Sequence, residues 1–130
     1  DLTQATATEQ IAANGLPASI AFDPDTATFL TVASLGNRIL VLDPVSRSTF
    51  PLRVGINPTS IAYNFASSTL VTTNSSSQTM SVVDFIEGRV RAVLSVRPSG
   101  QFAVDIHPFT NLAVIADSAG NRVILWPLPR

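Results

Sequence analysis

The chain contains no cysteine, which excludes disulfide bonds, thiolate chemistry and most structural zinc sites. Charge is scarce as well: charged residues make up 13% of the sequence and the formal net charge is -1. The eight basic residues are scattered, and a surface that grips a phosphate backbone needs them clustered, so no nucleic-acid partner is expected. Aromatics are 7% of the residues, too few for a platform on which bases stack. No apolar run approaches the ~18 residues of a membrane-spanning helix, so no membrane partner is expected. No basic-then-apolar leader opens the sequence. The compartment is left open: a soluble protein is expected, compatible with export after loss of a signal segment.

What the sequence does have is apolar content, 45% over 130 residues, enough for one core of ordinary size. It also has repetition, the first property to look for. Three phrases align: "LPASIAFDPDTATFLTVASLGNRILVLDP" from 16, "NPTSIAYNFASSTLVTTNSSSQTMSVVDF" from 57, and "GQFAVDIHPFTNLAVIADSAGNRVILWP" from 100. Pro17 matches Pro58 and Phe22 matches Tyr63, both at a spacing of 41, and Tyr63 matches Ile106 at 43.

Each unit reads as short strands. In the first these are Ser19 to Phe22, Phe29 to Ala33, Arg38 to Leu42 and Ser48 to Val54. β-branched and aromatic residues fill the runs and Pro, Gly, Asn, Asp and Ser separate them. No stretch carries a helical apolar stripe. Four antiparallel strands in a unit of 41 to 43 residues predict an all-β fold of β-propeller blades. An immunoglobulin-like sandwich could use as many strands but has no reason to repeat its sequence. The predicted organisation is a closing strand within 1–14, a first blade over 15–55, a second over 56–98, and a third over 99–130 with three strands. Three blades are fewer than a closed ring requires. Either two copies close a six-bladed ring by dimerisation, exchanging the N-terminal strand, or the chain is a piece of a longer propeller. Self-association of the 130-residue chain is expected in both cases.

The units resemble NHL-type propeller repeats and the related YVTN and SMP-30 gluconolactonase-like ones. The third matches best, through Val114, Ala116, Asp117, Ser118, Gly120, Asn121, Arg122 and Val123. The first keeps Val32, Ala33, Ser34, Gly36, Asn37, Arg38 and Ile39, with Ser34 standing for the acid. The second keeps Asn74 and Ser75. The resemblance implies binding of small molecules or partners, or lactone hydrolysis, on the face bearing the loops between second and third strands.

On that face the candidate ligand or interaction residues are Asn14, Asn37, Asn57, Asp105, Asp117 and Asn121. Gly36 and Gly120, with Asn37 and Asn121 after them, are expected to make tight turns, since glycine takes a positive φ freely and asparagine more readily than most residues. Arg38 and Arg122 are expected to brace the neighbouring blade, and Trp126 to pack against the closing strand. Asp105 is the one charge on an inner strand whose counterparts are Ala21 and Ala62. His107 aligns with the turn residues Asp23 and Asn64, so it is read as a turn histidine. The acids fall short of the oxygen ligands that calcium collects, so neither a metal nor another cofactor is expected. There is no nucleophile–base spacing or phosphate cradle. The leading expectation is a non-catalytic module that binds itself and a protein or small polar ligand. The alternative is a degenerate lactonase- or hydrolase-like propeller with a weak metal site between Asp105 and Asp117.

Overall fold

The computed structural model describes residues 10–95 and 102–129. The described residues form eleven strands: β1 (Pro17–Asp23), β2 (Thr28–Ala33), β3 (Arg38–Leu42), β4 (Thr49–Arg53), β5 (Pro58–Asn64), β6 (Thr69–Asn74), β7 (Thr79–Asp84), β8 (Arg89–Ser95), β9 (Phe102–His107), β10 (Leu112–Asp117) and β11 (Arg122–Pro127). They make three antiparallel sheets in simple meander order: β1 to β4, β5 to β8, and β9 to β11. The all-β expectation and the strand positions therefore hold. The predicted closing strand falls mostly on residues 1–9, outside the described ones.

The same local chemistry builds each unit. Pro17 and Pro58 open the first strands, where a missing N–H costs no ladder bond. At the first hairpin, Asp23 accepts the N–H of Asp25 at 3.0 Å and Asn64 that of Ala66 at 3.0 Å. His107 takes the related role, its Nδ1 accepting from Thr110 N at 3.3 Å. Each of these hairpins then closes on a left-handed residue: Ala27 (φ 55), Ser68 (φ 50) and Asn111 (φ 54). The next hairpin does so at Asn37 (φ 52), Gln78 (φ 55) and Asn121 (φ 51). Of the Gly–Asn pairs expected at these turns, the asparagine and not Gly36 or Gly120 takes the positive φ, since Gly15 and Gly88 are the positive-φ glycines among the described residues. Asparagine carries the strained conformation, which its short polar side chain tolerates. Gly36 is small for another reason: a Cβ there would lie 3.0 Å from the Arg38 guanidinium carbon.

The first strands of the three sheets lie side by side, β1 against β5 and β5 against β9. Their edges are joined by a repeated clasp: Ile61 N donates to Ser19 Oγ at 3.3 Å, and Val104 N donates to Ser60 Oγ at 3.2 Å. Strand alternation then sends one set of residues to each neighbour. Leu30, Val32 and Ile39 of the first sheet meet Ile61, Leu70 and Val83 of the second. Val71, Met80 and Val82 meet Val104, Ile106, Ala113 and Ile115 of the third. The second sheet is thus covered on both faces, and every residue of β6 is buried. Each large side chain so buried contributes roughly 1.5–3 kcal/mol. Trp126, expected against the closing strand, packs with Ile124 on the core shared by the second and third sheets.

Tyr63, the one tyrosine of the chain, stacks edge-on to Phe85 at 5.3 Å in the first core. Burial, reinforced by the charge of Asp23, pushes its hydroxyl above the ordinary value of 10.0. A raised folded-state pKa leaves stability intact below the unfolded value and removes it as pH climbs through the folded one. Absorbance at 295 nm should therefore titrate later in the native protein than in urea, and stability should fall on the alkaline side. Coincident curves would contradict the placement of this side chain.

Candidate functional site

Where the three first strands begin, their N-terminal ends surround a depression of about 430 Å³ lined by Ala18, Ser19, Thr59, Ser60, Ala103, Ala116 and Ser118. Matching register shifts between Pro17 and Ser19 and between Pro58 and Ser60 set an extra residue, Ala18 or Thr59, into this rim. Two of the hydroxyls are engaged in the clasp, and Thr59 Oγ1 shares a hydrogen bond with Ser75 Oγ at 2.7 Å. The wall is neutral, small and hydroxylic, suited to hydrogen bonding and without a general base.

None of the six predicted residues lines this depression; most of them take up structural posts elsewhere. Asn37 Oδ1 accepts the N–H of Asn57 at 2.9 Å, and Asn57 O accepts from Ser75 N at 3.0 Å. The carbonyl of Asn14 accepts from Arg38 Nη2 at 3.1 Å. Asn37 and Asn57 thus hold the entry into the second sheet, while Asn14 ties the segment before β1 to β3. Asn121 is exposed, and its N–H donates to Ser118 O at 3.3 Å. Asp117 is buried, accepting from Gly120 N at 3.1 Å and from Arg122 Nε at 2.9 Å. Asp105 is exposed, with its Oδ1 on Ile106 N at 2.8 Å.

Asp105 pairs across the ladder with Val114, three positions from Asp117. Successive side chains alternate in face, so the two acids project from opposite faces of the third sheet. They do not converge on one metal. Among the described residues no group of three or more His, Cys, Asp or Glu is arranged to hold an ion.

The ladder register also corrects the alignment of the units. Arg122 lies opposite Asp117, and Arg38 lies opposite Ala33. Ala33, not Ser34, therefore occupies the acid's position in the first unit. Arg38 Nε is accordingly buried without a hydrogen-bond partner. Ser34 has a different task, donating its Oγ to Pro58 O of the second sheet at 2.7 Å. The clasp serines were missed at the sequence level, although "SIA" at 19–21 and again at 60–62 was the signal that could have found them.

No family model and no curated protein matches the chain. Solved structures do. A hydrazine synthase of Kuenenia stuttgartiensis is similar at 18% identity and a TM-score of 0.64, over 92% of this chain and 38% of that one. An auxiliary nutrient-binding protein of Bacteroides ovatus is similar at 15% identity and a TM-score of 0.72, over 88% of this chain and 29% of that one. Both likenesses are of fold. The chain spans well under half the length of either structure.

Proposed function

We propose that the chain is a non-catalytic β-propeller segment of NHL-like repeats whose ring is completed by a second copy. The hydroxyl-lined depression becomes part of a central opening that admits a small polar ligand or a partner's loop. One observation carries this reading. Ile61 and Tyr63 of the second sheet face the first, and Val104 and Ile106 of the third face the second. Their counterparts in the first sheet, Ile20 and Phe22, are 64% and 51% exposed. The opposite end of the stack, β11, leaves Val123 and Leu125 64% and 62% exposed. The chain thus ends in the two halves of an interface that it builds twice internally. Exposed apolar faces of this kind are characteristic of assembly surfaces, and a face-to-back contact between identical chains makes a ring when the rotation per copy completes a full turn.

A second reading has its own support: the chain covers only 38% and 29% of the two similar structures named above, so neighbouring sheets could come from a longer version of the same chain. Both readings expect the 130-residue chain to associate through its exposed faces, but only the first expects assembly to close and stop at two copies. Under the first, Ile20→Asp with Phe22→Asp should weaken dimerisation at least 100-fold, because two charges would be buried in an apolar seam, while the circular dichroism spectrum stays unchanged. Equal association of the variant and the parent protein would exclude this face from the contact.

A further inference from the structure

A second cavity opens at the other end of the stack, between the β5–β6 turn and the β9–β10 turn. It holds about 330 Å³, and its lining includes Asn64, Ser67, Arg91, Pro108, Phe109 and Asn111. Its wall carries a chain of hydrogen bonds whose direction is fixed. The carbonyl of Pro108 can only accept, so Asn64 must turn its amide nitrogen toward it, at 3.2 Å. Asn64 Oδ1 meanwhile takes the N–H of Ala66. The same Asn64 nitrogen reaches Asn111 at 3.0 Å, which obliges Asn111 to present Oδ1, also approached by Ser67 Oγ at 3.2 Å. The amide nitrogen of Asn111 is left as a donor without a partner, in a residue only 3% exposed. Buried polar groups are nearly always paired, so such an orphan calls for a partner.

A cation stands on the same cavity. Val82 pairs with Ala92 and Val83 with Val90, so Arg91 is the extra residue of a β-bulge in β8. The bulge switches the strand's faces: Val90 packs toward the first sheet, Ala92 and Leu94 toward the third. Bulges commonly re-aim a side chain, and here the result is an arginine in the cavity wall with no carboxylate in the lining. Phe109, 84% exposed, supplies an apolar ring beside it. At the corresponding junction of the first and second sheets the Asn64 and Asn111 positions are Asp23 and Ser68, and the Asp23 carboxylate is taken up by Asp25 N and Thr26 Oγ1. The donor-rich arrangement occurs at one junction only among the described residues.

We infer that this cavity is a binding site for a small carboxylate carrying a flat apolar group. Arg91 pairs with the carboxylate, the Asn111 amide donates to one of its oxygens, and Phe109 covers the apolar body. The site lies within one chain and is independent of how the sheets are completed. The test is a 15N-edited NMR titration with benzoate, using benzamide as the neutral analogue of the same shape. Benzoate should shift the Asn111 side-chain NH2 pair and the Arg91 Nε–H saturably, benzamide should bind at least ten-fold more weakly, and Arg91→Gln, an exposed change, should weaken benzoate at least ten-fold. Absence of a saturable shift, equal binding of benzamide, or benzoate binding unaffected by Arg91→Gln would each overturn the assignment.

Discussion

Ile115→Ala is expected to lower stability by about 3–4 kcal/mol, the middle of the range for emptying a sealed aliphatic site. Ile115 has no exposed surface and sits among Val71, Met80, Val82, Val104 and Ile106. Those residues come from two sheets joined by the serine clasp, so the walls cannot close on the void without shifting one sheet against the other. The loss is a large share of the ~5–15 kcal/mol that holds a typical domain folded. Because the second sheet contributes to both cores, unfolding should remain a single transition. Urea denaturation should show a lower midpoint with an unchanged slope. Val45→Ala, at a residue 92% exposed, should change stability by less than about 0.5 kcal/mol. Two transitions, or a loss for Ile115→Ala below about 1 kcal/mol, would mean that the third sheet packs loosely on the second.

Asn74→Ala should cost nearly as much, about 2–4 kcal/mol, for a polar reason. Asn74 is fully buried, and its amide donates to Ser81 Oγ at 2.9 Å and Thr79 Oγ1 at 3.2 Å while accepting from Thr72 Oγ1 at 3.1 Å. Truncation strands the buried Thr72 hydroxyl, takes one of its donors from the buried Ser81 Oγ, and opens a void. The incoming chain presses on the same group: a Cβ on Gly55 would lie 2.5 Å from the Asn74 amide nitrogen. Gly55 is therefore required by close approach, and its N–H donates to Ser81 Oγ at 3.3 Å. The measurement is again the denaturation midpoint, and a loss under about 0.5 kcal/mol would show that water can replace the amide there.

Strands and repeat were legible in the sequence because they depend on local composition and on a period that survives substitution. What was not legible depends on register. One residue of offset separates Ser34 from Ala33, and only the ladder shows which of them faces Arg38. Which residue of the Gly36–Asn37 pair turns left-handed was not legible for a similar reason, since both suit a turn and the hairpin length decides between them. The pairing of Asn64 with Asn111 joins turns 47 positions apart, and the bulge that aims Arg91 leaves no mark in the apolar pattern. Asp105 and Asp117 looked like a pair in sequence, but alternation along adjacent strands sends them to opposite faces.

The central claim is that the apolar faces at the two ends of the stack meet in a second copy. Sedimentation equilibrium of the 130-residue chain from 1 to 100 micromolar measures it most directly. The account predicts a mass that rises with concentration to twice the 13.8 kDa of the chain. A folded protein that stays at 13.8 kDa across the whole range would contradict it.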